Sequence, residues 1–199
     1  MAHSSRSRRI SLVALFTALA LALNFLISIP APFADFLLYE VWEVPILISL
    51  LVLGLWGGTT VAVLNTIVLE AVKPGPLPTG PIYNLLAELA MFIGVVAAMR
   101  LADRMGKGPG LTILAATALG ITTRTAVMTV VNGLVLAMPY PLGFGSFGVT
   151  QAQVPALLVL IGVFNATTAL YTIPVAFSVW RALPSRYRLA GLAQSISTG

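Results

Sequence analysis

The amino-acid sequence is dominated by long stretches of apolar residues that contain no charged side chain. Residues 10–34 form one such stretch, and residues 46–69 form another. Both exceed the roughly 20 residues that a helix needs to cross the hydrocarbon core of a bilayer. Only 9% of the 199 residues are charged, whereas soluble domains average about 25%. The apolar runs are continuous and lack the alternation of a membrane β-barrel, so we predict an all-α integral membrane protein.

Four stretches are each interpreted as a single transmembrane helix. They lie near residues 10–29, 82–99, 111–138 and 152–180. The first is expected to end where Pro30 and Pro32 prevent a helix from continuing. A chain of this length has no room for a separate soluble domain. We therefore expect a basic N-terminal tail (1–9), one transmembrane domain (10–181) and a C-terminal tail (182–199), in a multi-pass protein of the plasma membrane.

The stretch 46–69 is interrupted by the glycine cluster Gly54–Gly58, so it is either one helix or two short ones. Lysine and arginine accumulate on the cytoplasmic side of membrane proteins. With one helix, the basic residues at 100–107 and those of the N-terminus fall on opposite sides of the membrane. With a cytoplasmic turn in the glycine cluster, nine of the eleven Lys and Arg residues are cytoplasmic. We therefore predict six transmembrane helices with both termini in the cytoplasm.

In this arrangement the second and third helices have only about 12 and 16 residues, which is short for a bilayer core. The net charge of +5 comes from basic residues whose positions this arrangement explains. The basic residues flank the apolar stretches, which is typical of topology signals in a lipid bilayer and not of a nucleic-acid-binding surface.

Few polar side chains interrupt the predicted helices, and each is a candidate site because an unpaired polar group is costly in lipid. They are Asn24, Asn65, Asn84, Glu88, Arg124, Asn132 and Asn165. Asn84 and Glu88 are four residues apart and share a helix face. We hypothesise that these two, with Asn132 and Asn165 of the last two helices, line a pocket that opens outward. Amides offer donors and an acceptor, which suits a neutral heterocyclic ligand better than a bare ion.

Each of these residues also has a purely structural interpretation. A buried asparagine often only bridges two helices. Glu88 and Arg124 are interpreted as a structural ion pair, or Arg124 as extending toward the interface, in preference to a proton relay. Tyr39 and Trp42 precede the second helix, where they either cover the pocket or belong to the aromatic belt at the membrane interface.

The sequence lacks several catalytic and metal-binding signatures. It contains no phosphate-binding loop for ATP and no cysteine, and its only histidine is His3 in the N-terminal tail. A Ser-His dyad inside the membrane and a histidine or thiolate metal site are therefore excluded. We predict that the protein is not an enzyme and holds no metal or cofactor. An intramembrane enzyme that depends on Glu88 is the least favoured alternative.

Three groups of residues resemble those of a known family. They are Glu40–Pro45 with Gly54–Gly57, Met128–Asn132 with Met138–Tyr140, and Val163–Asn165. Together with the six-helix layout, they make the chain similar to the substrate-binding S components of energy-coupling factor (ECF) vitamin transporters, and most similar to the riboflavin-binding group. The likeness covers most of residues 10–181.

The chain departs from the riboflavin-binding pattern at one position of the last helix. Thr168 stands where riboflavin-binding members often have a lysine three residues after the asparagine. Glu40 and Glu43, in place of aspartates, are a milder change. The departure at Thr168 concerns the ligand more than the fold.

The resemblance also implies a function, a site and partners. Asn132 and Asn165 match positions that hydrogen-bond the flavin ring. Ala14 and Ala18, in a stripe of small residues that includes Ala22, match the helix face that docks on the coupling subunit. The implied protein captures riboflavin as cargo from the outside and depends on a transmembrane coupling subunit and two ATPase subunits. The alternatives are an S component for another water-soluble vitamin, or a stand-alone helical membrane channel or scaffold.

Overall fold

The computed structural model describes residues 2–26, 28–72 and 77–184 of the chain. Within these ranges, the fold consists of five α-helices, two short strands and two 3-10 turns. The elements are α1 (Ala2–Leu26), β1 (Ser28–Ala31), β2 (Ala34–Glu40), α2 (Glu43–Val72), α3 (Gly80–Arg104), α4 (Pro109–Val135), the 3-10 turns Gly145–Phe147 and Gln151–Gln153, and α5 (Val154–Ala182). Each α-helix is long and apolar enough to cross a membrane. The predicted membrane class is therefore supported by the folded chain.

Proline and glycine set the boundaries of α3 and α4. Each helix has a proline in its first turn, where the missing N–H costs no hydrogen bond. After α3, Gly106 adopts a φ of 59°, and the N–H of Lys107 donates to the carbonyl of Ala102 at 2.9 Å. This is the Schellman motif that commonly ends a helix at glycine.

Helix α2 is broken at Gly54. This residue has φ 80° and ψ −178°, a conformation that only glycine adopts without strain. A Cβ placed on Gly58 would lie 2.8 Å from the Cα of Leu50, whereas eight residues of straight helix span about 12 Å. The chain therefore turns back on itself at Gly54, within the glycine cluster where the sequence predicts a turn between two helices. The count of six membrane crossings and the cytoplasmic termini stay predictions.

The region between α1 and α2 contains two strands that the all-α prediction did not include. The first helix was expected to reach Ile29, but α1 ends at Leu26 and residues 28–31 form β1, which pairs with β2 in a two-stranded sheet. Pro30 is tolerated in β1 because such a strand lies at a sheet edge. An isolated pair of strands is marginally stable by itself. The hairpin therefore depends on tertiary contacts that a hydropathy pattern does not contain.

The chain divides into two compact units. The first contains α1, residues 40–65 and the part of α5 from Tyr171 onward. The second contains residues 29–39 and Thr66–Leu170. Part of the predicted C-terminal tail, from residue 185 onward, lies outside the described residues, as do residues 73–76 between α2 and α3.

In the second unit, α3 and α4 pack closely at Gly94. A Cβ at this position would collide with the backbone of Leu119 and the hydroxyl of Thr123. Glycine therefore allows the two helix backbones to approach, as small residues do between membrane helices. This close approach brings the buried face of α3 that carries Gly94 against Leu119 and Thr123 of α4.

Candidate functional site

Helices α4 and α5 lie side by side in the second unit and run in opposite directions. Thr125 faces Gly162, whose Cβ would lie 3.8 Å from the Thr125 methyl group. Further along, a Cβ on Gly133 would lie 3.6 Å from Leu158. This register places Asn165 opposite Arg124. It also places Asn132 about two turns farther along α4, near Leu158.

A buried hydrogen bond joins the two helices at this level. The Nε of Arg124 donates to the Oδ1 of Asn165 at 3.0 Å, and the Nδ2 of Asn165 donates to the carbonyl of Ile161 at 2.9 Å. Arg124 is only 2% exposed. Because the donor is charged, this bond is stronger than one between neutral groups. The amide of Asn165 is thereby held in one orientation, with its oxygen toward the guanidinium.

Helix α3 contributes to the same cluster. The Sδ of Met91 lies 4.0 Å from Nη1 of Arg124. Glu88 is three residues before Met91, on the same helix face, and is 1% exposed. The face of α3 that carries this carboxylate is therefore the face that meets Arg124. The pairing of Glu88 with Arg124 stays a prediction.

Thr168 extends the polar face of α5 by one turn beyond Asn165. It is 2% exposed, and its hydroxyl has no hydrogen-bond partner in the described part of the chain. The hydroxyl of Thr125, next to Arg124 on α4, is also buried and has no hydrogen-bond partner in the described part of the chain. A buried hydroxyl left without a partner costs about 1–3 kcal/mol. The hydroxyls of Thr125 and Thr168 thus have hydrogen-bonding capacity that the described part of the chain does not use.

Strand β2 brings an aromatic ring to the adjacent face of α5. The ring of Tyr39 lies 5.0 Å from that of Phe164, at an interplanar angle of 37°. The Tyr39 hydroxyl lies 2.7 Å from Oγ1 of Thr167, which itself donates to the carbonyl of Val163 at 2.8 Å. Tyr39 is therefore the donor to Thr167. These contacts attach the end of β2 to α5, so the side chain of Tyr39 packs on α5.

Asn132 and Asn84, the other pocket residues predicted in the second unit, differ in how deeply they are buried. Asn132 is half-buried, and its Nδ2 donates to the carbonyl of Met128 in its own helix at 2.8 Å. This bond leaves its amide oxygen available for another group. Asn84 is exposed, although Glu88, four residues later, is buried. The geometry thus joins Asn165 to Arg124 and places Thr168 one turn farther along α5. It places Asn132 nearer one end of the helix pair and leaves Asn84 at the surface.

The segment between α4 and α5 folds over the end of this helix pair. The N–H of Phe144 donates to the carbonyl of Leu136, and that of Gly145 donates to the carbonyl of Met138. Phe144 packs against a small apolar core of the second unit. That core contains Leu136, Val154 and Ile161, with Leu37 of β2 and Val149, Leu157 and Leu158 at its edge. Strand β2 and this segment therefore cover the same end of the pair.

The start of α3 and the segment between α4 and α5 are linked by hydrogen bonds. The hydroxyl of Thr79 donates to the carbonyl of Pro141 at 2.7 Å. The hydroxyl of Tyr83 donates to the carbonyl of Leu142 at 2.6 Å. The start of α3 and the residues after α4 therefore lie at one end of the second unit.

Trp42 belongs to the first unit. Its Nε1 donates to the carboxylate of Glu40 at 2.7 Å, and the hydroxyl of Tyr171 donates to the backbone carbonyl of Glu40 at 2.7 Å. The indole is almost fully buried. These bonds anchor the start of α2 to the last part of α5 within that unit.

The alanine stripe of α1 is exposed along its length. Ala14, Ala18 and Ala22 are exposed, whereas Thr17 and Asn24 of the same helix are buried. The stripe therefore lies on a face that the described chain does not cover. Its role in docking stays a prediction.

Sequence reasoning missed Phe164 and Thr167 as the residues that hold Tyr39, and it left Arg124 outside the proposed ligand contacts. Phe164 was noted only as part of a motif. Its spacing of three residues from Thr167, on a face next to that of Asn165, is the signal that was available. The partner of that face, β2, is distant in sequence and could not be inferred from spacing.

The fold is similar to that of a solved structure of the S component of a bacterial ECF transporter. The TM-score is 0.69, and the match covers 89% of this chain and 95% of that protein at 20% sequence identity. No family model and no curated protein matches the sequence. The structure therefore defines a helical membrane protein with an S-component fold. At this identity, the likeness establishes the fold alone.

Proposed function

We propose that the protein is the substrate-capture subunit of an ECF-type vitamin importer and that its ligand is riboflavin or a related flavin. The observation that carries the proposal is the similarity of nearly the whole chain to an S component. The ligand is bound from the outside, among α3, α4, α5 and the loops that cover their end. These three helices are the fourth to sixth of the six predicted crossings. The flavin is cargo, so the protein needs no cofactor.

The polar and aromatic groups of the second unit suit a flavin. Asn132 and Asn165 supply amides for the ring edge, and Tyr39 with Phe164 supplies an aromatic wall. A ligand pocket with mostly apolar walls and a few placed polar groups is typical of small-molecule sites. The unused hydroxyl of Thr168 provides a further contact.

Six membrane crossings with both termini in the cytoplasm are part of the proposal. The reversal at Gly54 supports a turn between a second and a third crossing. The linked loops at Thr79 and Pro141 support a common outer side. This topology places nine of the eleven basic residues in the cytoplasm of a plasma-membrane protein.

The partners in the proposal are a transmembrane coupling subunit and two ATPase subunits. The chain has no phosphate-binding loop of its own, so the energy for transport has to come from another subunit. The exposed alanine stripe of α1 offers a face for close helix packing with the coupling subunit.

The proposal is tested with the purified protein in detergent. We expect a flavin absorption spectrum in the protein as isolated, or saturable quenching of riboflavin fluorescence at submicromolar ligand. Asn132→Ala should weaken binding by about 1–3 kcal/mol through the lost hydrogen bonds. Thr122→Ala, at an exposed position of the same helix, is the matched control and should bind as the wild type does. Unchanged affinity in a folded Asn132→Ala protein removes this residue from the site.

A different water-soluble vitamin is the second candidate, and Thr168 is the observation that favours it. A threonine in place of a lysine removes a charge from the riboflavin-binding pattern. A colourless protein that does not respond to riboflavin contradicts the flavin proposal and leaves the S-component assignment standing. Conductance or transport by the purified protein without an ATPase supports a channel and contradicts both candidates.

A further inference from the structure

We propose that the segment between α4 and α5 lies at the membrane interface and that the lipid bilayer is the partner of its exposed side chains. These side chains are Met138, Tyr140, Leu142 and Phe147, which form a surface called here the apolar ridge. Each of them is between 38% and 61% exposed. The contact with lipid is separate from the ligand site, so it goes beyond the proposed function.

The ridge is part of a packed segment. The ring of Phe147 lies 6.5 Å from that of Tyr140 and 6.0 Å from that of Phe144. Phe144 in turn packs against the small apolar core of the second unit. A Cβ on Gly143 would collide with the backbone carbonyl of Val135, so the segment rests directly on the end of α4. The exposed apolar side chains are therefore presented by a folded surface.

The segment differs from a water-exposed loop in its charge. No charged residue and no histidine occurs between Arg124 and Arg181, a range that includes the whole segment. The connection between α3 and α4, in contrast, carries Arg104 and Lys107 at exposed positions. An exposed group of apolar side chains marks an interaction site, and an uncharged one has nothing to attract a charged partner. Tyrosine suits the bilayer interface, where its ring meets acyl chains and its hydroxyl meets headgroups.

The ridge also continues the apolar surface of α4. Val127, Val130 and Leu134 are exposed on this helix, and the ridge begins four residues after Leu134. Helix α4 is long and apolar enough to cross a membrane, and the exposed apolar side chains of such a helix meet lipid. The ridge therefore extends a surface that is already in contact with the bilayer.

The length of α4 places its end at the level of the headgroups. The helix has 27 residues, which corresponds to about 40 Å. A bilayer with its interfacial regions is about 40–45 Å thick. With the charged connection between α3 and α4 at one surface, the other end of α4 reaches the opposite interface. The ridge, which is packed on that end, lies there with it.

The experiment places single nitroxide labels on the full-length protein in vesicles of palmitoyl-oleoyl phosphatidylcholine. The chain contains no cysteine, so one introduced cysteine carries the only label. The test variants are Phe147→Cys and Leu142→Cys. Gly108→Cys, beside the exposed Lys107, is the reference for water, and Val127→Cys on α4 is the reference for hydrocarbon. Electron paramagnetic resonance measures how often each label collides with oxygen, which concentrates in acyl chains, and with a water-soluble nickel chelate.

Both ridge labels should show a ratio of oxygen to nickel collisions that is several-fold higher than that of the Gly108→Cys label. The ratio should not exceed that of the Val127→Cys label, because the interface is less apolar than the hydrocarbon core. Phe147→Cys loses two ring contacts, so the thermal unfolding of each labelled protein is compared with that of the wild type. If Phe147→Cys does not fold, Leu142→Cys decides.

Two outcomes overturn the inference. Ridge labels that meet the nickel chelate as freely as the Gly108→Cys label lie in water. Ridge labels that are shielded from both oxygen and the chelate lie against protein, such as a second copy of the chain. Riboflavin takes no part in the measurement, so either outcome leaves the proposed function intact, and a protein that ignores riboflavin leaves the lipid contact intact.

Discussion

Helices α1 and α3 are almost equally apolar, and yet they differ in how much of each is packed. Their most apolar windows have mean hydropathies of 1.9 and 2.0, but 11% of the α1 window is buried against 56% of the α3 window. Both helices carry small residues at a spacing of four. In α3 these are Ala90, Gly94 and Ala98, which are buried, and in α1 they are Ala14, Ala18 and Ala22, which are exposed.

The difference shows that hydropathy does not determine where a membrane helix packs. Lipid tails are as apolar as leucine, so apolar area alone does not draw two helices together in a bilayer. Close contact depends on small residues and on polar groups that find partners. In α3 the small stripe has its partner, α4, within the chain. In α1 the described part of the chain leaves an equivalent stripe exposed.

The largest effect is expected for Gly94→Leu. A side chain at this position collides with the backbone of Leu119 and separates α3 from α4. We expect a loss of about 3 kcal/mol or more in the free energy of unfolding, or no folded protein. Ala97→Leu, at an exposed position of the same helix, is the control and should change stability little. Thermal unfolding in detergent, followed by circular dichroism, measures both. Equal stability of the two variants would show that small residues do not decide the packing.

Asn165→Ala tests the contribution of the polar contact between packed helices. The variant loses the bond from Arg124, a buried bond with a charged donor, so the free energy of unfolding should fall by about 2–3 kcal/mol. Asn132→Ala loses only a bond within its own helix and should cost less than about 1 kcal/mol. The same unfolding assay compares them, without ligand. A larger loss for Asn132→Ala would contradict the assignment of Asn165 as the residue that joins α4 and α5.

Gly54→Ala extends the comparison to α2. In this helix, small residues allow the segment after Gly54 to pack against the segment before it. A Cβ at φ 80° and ψ −178° is strained, so the variant should lose about 1–2 kcal/mol of stability. Gly110→Ala is the control, because its Cβ meets no other atom within 4 Å. A Gly54→Ala protein as stable as the Gly110→Ala protein is incompatible with a turn at this position.

The sequence predicts the positions of the helices well and their contacts poorly. The predicted spans 82–99 and 152–180 lie within or close to α3 and α5, because long apolar runs bounded by proline, glycine and arginine are local features. The β1–β2 hairpin was missed because its stability comes from contacts with distant parts of the chain. The turn in α2 was predicted from a glycine cluster together with charge asymmetry.

In the candidate site, too, the sequence predicts individual residues but not the contacts between them. Asn165 and Arg124 were recognised singly, because polar residues are conspicuous in an apolar helix. Their hydrogen bond was not predicted, since it depends on the register of α4 against α5. The contact of Tyr39 with Phe164 depends in addition on the path of β2. Spacing within one helix predicts which residues share a face, but not which face of another element they meet.

The smallest effect on stability is expected for Ala18→Leu. This variant distinguishes a small-residue stripe that packs inside the fold from one that docks on another subunit. Ala18 is exposed, so the isolated protein should change by no more than about 0.5 kcal/mol in free energy of unfolding. In the proposed importer, the longer side chain keeps the helix of the coupling subunit at a distance. Co-purification with that subunit should therefore fall strongly, while Leu15→Ala, at an exposed position of the same helix, should not reduce it. A loss of stability in Ala18→Leu would place the stripe inside the fold, and unchanged co-purification would move the docking face away from α1.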